Sequence, residues 1–370
     1  MKQGPVILVV GARPNFMKIA PIHAELARRG VKQLLLHTGQ HYDEAMSKIF
    51  FEELGMPRPD VYLGVGSGTH AEQTGRVMVD FEKVCFEHKP AYIVVVGDVN
   101  STLACALVAA KLGIPVAHVE AGLRSRDWAM PEEVNRVVTD RIADHLLTPS
   151  RDGNENLLAE GIPAERITFV GNIMIDTLFT HLEGARASGV HERVGVEPGK
   201  YALLTLHRPS NVDDAVTFER ILGALERVGQ RIPLVFPVHP RTRNRAEEFG
   251  LLERLEAIPG IVLCPPLGYL EFQGLTSQAA VVLTDSGGLQ EETTALGIPC
   301  ITLRENTERP ITVTEGTNVI VGSDADLIVA ETHRVLDGGE RGEHQIPEFW
   351  DGRTAGRIAD VIEAALGRGD

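Results

Sequence analysis

Cysteine is scarce in this chain of 370 residues: there are four, at positions 85, 105, 264 and 300, with no CxxC pair and no histidine beside them at metal-binding spacing. That excludes a disulfide framework or a thiolate zinc site and reads as buried, reduced thiols in the cytoplasm. Positive charge is also short. Lysine and arginine number 36 against 51 aspartates and glutamates, a formal net charge of −15, which argues against nonspecific binding to nucleic acid or to an anionic membrane. An anionic substrate must then be met by local positive charge, which makes arginines at strand ends informative. No apolar run approaches the roughly 18 residues of a membrane span. The opening MKQGPVILVVGARP has one lysine, a short apolar run and no small-residue cleavage site, so it reads as a first strand and not as a signal peptide. The loop that follows, GARPNFMK, has neither the GxGxxG nor the GxxxxGK(S/T) spacing of the common phosphate loops.

What the chain does have is a rhythm. Its length exceeds one ordinary domain, so two domains of similar size are expected. Short runs rich in Val, Ile and Leu recur at 6–10, 33–37, 92–96, 116–119, 145–148 and 167–170, then at 202–206, 234–238, 261–264, 281–284, 300–303 and 319–321. Helical patterns lie between the early runs, at 20–29, 43–54, 71–86, 102–112 and 132–143. Parallel strands with crossover helices follow from this alternation, giving an α/β chain of two Rossmann-like, doubly wound halves. The seam falls either in 181–200, rich in Gly, Glu and Arg, or nearer Gly171. The division adopted is 1–171, 172–352 and a last helix within 353–370 that crosses back to the first domain.

Ligands of open α/β sheets bind outside the carboxyl ends of the strands. The residues at those ends are polar: Gly11 to Pro14, Gly39, Gln40 and His41, Gly97 to Asn100, Glu120, His207 and Arg208, His239 and Arg241, and Asp285 to Gly288. The segment 117–136, AHVEAGLRSRDWAMPEEVNR, concentrates charge just past an apolar run. Asp98 and Glu120, one βα unit apart, would sit side by side and could divide acid and base work. The plainer alternative has Asp98 orient a turn while Asn100 or Ser101 caps the next helix. Glu132 follows Pro131 at a helix start, where a glutamate is favoured by the macrodipole alone, and shares a face with Arg136. The loop carrying Arg124, Arg126 and Trp128 reads as a mobile piece. Arg13 and Lys18 can meet a diphosphate, whereas the glycines of GVGSGT are read as a flexible loop.

TDSGGLQEE, residues 284–292, is the strongest phosphate signal. Ser286 offers a hydroxyl, Gly287 and Gly288 let backbone N–H groups approach an anion at a helix start, and Glu292 could accept from both hydroxyls of a ribose. Arg309 is a further cation for the same site, and His207 a group able to move a proton near neutral pH.

Taken together, GARPxxxK, TGQH, GDxNSTLA, HVEAGLR, MPEExNR, LHR, PVHPR, TDSGGxQEE and TERP resemble the non-hydrolysing UDP-N-acetylglucosamine 2-epimerases, in order and over nearly the whole chain. The resemblance implies a GT-B arrangement with the sugar nucleotide between two domains, a homodimer, and no metal or redox cofactor. It implies loss of UDP by anti elimination to 2-acetamidoglucal, then re-addition after the proton returns on the other face. Carried over by motif, the catalytic groups are Asp98, Glu120, Glu132 and His207, and the nucleotide contacts are Arg13, Lys18, Phe272, Ser286, Gly287, Gly288, Glu292 and Arg309, with His239 and Arg241 of PVHPR added as substrate-binding residues. Asn15, Pro209, Ser210 and Ile311 depart from residues common in the family. In bacterial members a second substrate molecule activates the enzyme through an arginine after the His-Arg pair and another near GVGSGT; Pro209, and the lack of arginine between residues 63 and 73, depart from that pattern. A 2,3-diacetamido uronate substrate, a hydrolysing epimerase and a GT-B glycosyltransferase are the alternatives.

Overall fold

In the computed structural model, residues 4–39, 54–338 and 345–368 are described. The chain divides into two compact units, Met1–Thr177 with Glu348–Asp370, and Leu178–Pro347. Gln40, His41 and the helix expected at 43–54 lie outside the described residues, apart from Leu54.

The first unit is built on a parallel sheet of seven strands: β1 (Val6–Val10), β2 (Gln33–His37), β3 (Val61–Tyr62), β4 (Tyr92–Val96), β5 (Val116–Val119), β6 (His145–Thr148) and β7 (Ile167–Phe169). Their order is β3-β2-β1-β4-β5-β6-β7. β1 pairs in register with β2 (Val6 with Gln33) and β4 (Val6 with Tyr92). Helices cover both faces of such a sheet, so its central strands are apolar without alternation; every residue of β1 and β4 is buried. The order in which strands are laid down reverses between β1 and β4, which makes their carboxyl ends the switch point where ligands of doubly wound sheets bind.

The second unit repeats the plan with β8 (Ala202–Thr205), β9 (Leu234–Pro237), β10 (Ile261–Cys264), β11 (Val281–Thr284), β12 (Cys300–Thr302) and β13 (Asn318–Ile320). The order is β10-β9-β8-β11-β12-β13, with its switch point between β8 and β11. Side chains alternate along each strand between two cores. Leu204, Phe236 and Leu283 join the Phe218, Ile221 and Leu225 side, while Leu203, Val235 and Val282 join Tyr201 and Leu275.

The first helix runs Arg13–Arg28, longer than the expected 20–29, because Pro14 lies in its first turn and Asn15 accepts from the backbone of Gly11 and Ala12. Pro21 is carried inside it. The final helix, Thr354–Ala365, belongs to the first unit. Asp176 accepts from its first amides, Thr354 and Ala355, at 3.0 and 2.7 Å, and Arg29 reaches Asp360, Glu363 and the Gly356 carbonyl. Among the described residues no helix is long and apolar enough to cross a membrane.

Candidate active site

In the first unit, the turns after β4 and β5 both enter left-handed backbone, at Gly97 (φ +70°) and at Glu120 (φ +69°). Glycine adopts this freely. For a glutamate it costs on the order of 1–3 kcal/mol and persists only where the surroundings impose it, a pattern common at functional sites. Here the amides of Glu120 and Ala121 both donate to the Leu147 carbonyl, at 3.0 and 3.2 Å, while Arg136 donates to the Glu120 carbonyl.

Helix Pro131–Ile142 holds the carboxylates. Arg136, from its second turn, also donates to Asp98 Oδ2, and Asn135 donates to the Asp98 carbonyl at 2.9 Å. Lys18, on the second turn of the first helix, forms a buried ion pair with Glu120 Oε2. The pair lies over Gly97, where an added Cβ would stand 3.5 Å from both Lys18 Nζ and Glu120 Oε2. Of the two carboxylates, Glu120 is sealed at 2% side-chain exposure and Asp98 is open at 28%. Glu132, in the first helical turn, is exposed, and it is Glu133 that turns inward to the Ser125 and Arg126 amides at 2.8 and 3.0 Å.

Two readings of this region change. Neither Asn100 nor Ser101 caps the helix Asn100–Lys111, whose N-cap is Val99 without a side-chain bond. Asn100 instead donates to Gln73 at 2.9 Å, and Ser101 bonds Thr38 at 2.7 Å. The Arg124 side chain is turned inward. It is buried and held by Asp140 and Glu160, each at 2.7 Å, while Arg126, Asp127, Trp128 and Ala129 of the same segment are exposed, Trp128 at 66%.

In the second unit Asp285 is the hub. Fully buried after β11, it accepts from the His207 and Arg208 amides, both at 2.8 Å, and from Asn211 at 3.2 Å. Its Oδ1 faces His207 Nδ1 at 2.9 Å. Burial raises the proton affinity of Asp285, but the hydrogen bond and charge of His207 and the two amides outweigh this and hold its pKa below the ordinary value. With Nδ1 turned to a carboxylate, Nε2 is the nitrogen His207 leaves for other work.

Helix Gly287–Leu296 starts at Ser286, whose side chain makes no capping bond. A Cβ on Gly287 or Gly288 would meet nothing within 4 Å, so these glycines border open space at a helix start, where an anion is favoured. Glu292 is 5% exposed. Burial drives its pKa up to about 7, the Gln273 hydrogen bond opposes this, and Glu291 adds to it. Arg309 is buried beside the same helix, bonded to Glu291 at 2.8 Å. Phe272 is half-buried on helix Tyr269–Thr276. His239 Nδ1 accepts from the Arg241 amide at 3.1 Å and its ring lies 5.4 Å from that of His207, while Arg241 pairs with Asp213.

The family model for UDP-N-acetylglucosamine 2-epimerase matches residues 24–363. The chain belongs to this family. A UDP-N-acetylglucosamine 2-epimerase of Methanococcus maripaludis is 42% identical over 96% of this chain and 97% of its own. A UDP-2,3-diacetamido-2,3-dideoxy-D-glucuronate 2-epimerase of Pseudomonas aeruginosa is 40% identical over 96% and 99%. Among solved structures, the Methanocaldococcus jannaschii UDP-GlcNAc 2-epimerase in complex with UDP-GlcNAc and UDP superposes with a TM-score of 0.88 at 42% identity, over 97% and 99% of the two chains. The fold is thus that of the epimerase family, GT-B type.

Within this epimerase, the structure gathers Lys18, Asp98 and Glu120 in the first unit, and His207 beside His239, and Ser286, Gly287, Gly288, Glu292 and Arg309, in the second. The side chain of Arg13 is outside what is described. Sequence reading passed over Asp285 as a hub and Asn135 altogether; the runs NR after MPEE and D after LT carried the only signal. Among the described residues no cluster of three or more His, Cys, Asp or Glu could hold a metal.

Proposed function

We propose that this chain is a non-hydrolysing epimerase that interconverts UDP-GlcNAc and UDP-ManNAc. The observation that carries the proposal is the Lys18–Glu120 and Arg136–Asp98 arrangement at a sheet switch point, in a member of this family. The second unit binds UDP: the amides of Gly287 and Gly288 and the Arg309 guanidinium take the diphosphate, and Glu292 the ribose. The first unit supplies the groups that move the C2 proton.

A base removes that proton, the electron pair becomes the C1–C2 double bond, and the C1–O bond breaks with its electrons leaving on UDP. Departure of a diphosphate is assisted by cations and backbone donors, the role assigned to Arg13, Arg309 and the helix start. The proton then returns to the other face of C2 and UDP re-adds at C1. Asp98, Glu120, Glu132 and His207 are the groups proposed to exchange protons. Asp98 is accessible, and Lys18 and Arg136 pair with Glu120 and Asp98.

In D2O, UDP-GlcNAc should acquire deuterium at C2 and yield UDP-ManNAc, followed by NMR. Release of free ManNAc would mean hydrolysis, and no exchange would remove the epimerase reading and leave a glycosyltransferase. The 40% identity to the Pseudomonas enzyme favours a second reading, a diacetamido uronate substrate; supplying both sugar nucleotides decides by relative kcat/KM. We further propose a cytoplasmic homodimer. Its support is four free cysteines and exposed apolar residues on two helices: Val79 and Phe86 on helix His70–His88, and Val134 and Val138 on Pro131–Ile142. Light scattering of Phe86→Glu should show monomer where the parent shows dimer.

A further inference from the structure

His118 is completely buried on β5, two residues before Glu120. Its Nδ1 lies 2.7 Å from Asp140 Oδ1 and its Nε2 2.8 Å from the carbonyl oxygen of Gly97, the residue before Asp98. A carbonyl has no proton to give. Asp140 already accepts at Oδ2 from Arg124 at 2.7 Å and from the Gly122 amide at 3.1 Å. Burial raises the proton affinity of this carboxylate, yet the charges and hydrogen bonds of His118 and Arg124 outweigh it and hold its pKa below the ordinary value. Each ring nitrogen of His118 thus faces an acceptor, Nδ1 the Asp140 carboxylate and Nε2 the Gly97 carbonyl, an arrangement in which both can donate.

We propose that His118 is a positioning residue for the epimerisation: its two donors lock the turn that carries Asp98 and the turn that carries Glu120 into one fixed arrangement. The inference rests on the proposed function. Its geometry is closed on itself. Nε2 pins the Gly97 carbonyl in the left-handed turn after β4. Nδ1 engages Asp140, which pins the Gly122 amide two residues beyond the left-handed Glu120. Asp140 stands one helical turn after Arg136, the residue that bridges the Glu120 carbonyl and Asp98 Oδ2. One helix thus holds the Glu120 turn through Arg136 and Asp140, and the Asp98 turn through Arg136, Asn135 and, by way of His118, Asp140. Misplacing a reacting group by about 1 Å can cost on the order of 100-fold in rate, and no other side chain of β5 bonds to the Asp98 turn among the described residues.

Two substitutions separate positioning from mere packing. The amide nitrogen of asparagine falls near the place of Nδ1, and that of glutamine near the place of Nε2. His118→Asn keeps a donor toward Asp140 and loses the one to Gly97; His118→Gln does the reverse. Measured as C2 deuterium exchange, kcat should fall about 100-fold in His118→Asn and less than about tenfold in His118→Gln, with KM and UDP affinity within about threefold of the parent in both. Equal losses in the two variants, or kcat that simply follows melting temperature, would overturn the proposal. The parent protein offers a measurement no folding defect can spoil: with 15N-labelled histidine, His118 should show a proton bonded to each ring nitrogen, and a ring with one proton overturns the wiring. Failure of the parent to exchange at C2 would remove the function itself, a result distinct from exchange in the parent with indistinguishable variants.

Discussion

Glu292 gives the nucleotide half of this account a quantitative test. Its carboxyl, buried on helix Gly287–Leu296, has a pKa of about 7 in the unliganded protein against an ordinary 4.5. Accepting two ribose hydroxyls requires the ionised form, so binding must expel the proton wherever it is present. With a pKa of about 7, roughly a tenth of the molecules are ionised at pH 6 and nine-tenths at pH 8, so the affinity for UDP-GlcNAc should be about tenfold weaker at pH 6, or about 1.4 kcal/mol. Close to one proton should be released on binding at pH 6. A diphosphate diester has no group of its own titrating in this range, which keeps the readout on the protein. Calorimetry in buffers of different ionisation enthalpy measures both quantities, and Glu292→Gln should bind more weakly at pH 8 with this pH dependence removed. The same shift has a consequence for stability. The folded pKa lies above the unfolded one, so the contribution of this group is complete below pH 4.5 and is lost as pH rises through about 7. The difference corresponds to about 3 kcal/mol, less whatever relaxation the helix allows. A flat affinity profile with no proton release, or an unchanged profile in Glu292→Gln, would refute the assignment.

Asp285→Asn replaces an acceptor facing two amides and His207 with a group that is half donor. It should destabilise by about 1–3 kcal/mol and lower kcat at least tenfold by releasing the His207 ring, read by thermal melting and by exchange kinetics. Because the pKa of Asp285 is depressed, its stabilising contribution is present above the unfolded value of 3.8 and fades as pH falls through the folded one; Asp285→Asn should therefore narrow the gap in melting temperature toward acid pH. Gly122→Ala would put a Cβ 2.4 Å from the Gly153 carbonyl at a φ of +82°, so a loss of about 2 kcal/mol or more is expected in chemical denaturation.

How much of this was legible in the sequence depends on what each residue needed to know. Strands such as 92–96 and 281–284 were plain because a strand buried on both faces must be apolar throughout. β3 was missed because Val61–Tyr62 is a two-residue strand at the sheet edge, too short to set a pattern. The first helix was expected only from residue 20, whereas it begins at Arg13, with Pro14 in a first turn that has no amide bond to lose. Asp98, Glu120 and the Ser286 to Glu292 segment were singled out by their places at strand ends, a property of local order. Their supports were not. Arg136 reaches 38 residues back to Asp98 and Asp285 reaches 78 residues back to His207, and only the folded sheet brings such positions together. The same limit holds for Arg124: the partners that hold its side chain, Asp140 and Glu160, lie 16 and 36 residues away.

The central claim is that the first unit moves the C2 proton while the second holds UDP. Asp98→Asn and Glu120→Gln, assayed with UDP-GlcNAc in D2O alongside UDP titration, test it most directly. The account predicts deuterium exchange at C2 reduced by at least about 100-fold, with UDP affinity within about threefold of the parent. Exchange that persists in both variants, or UDP affinity that falls in step with exchange, would contradict it.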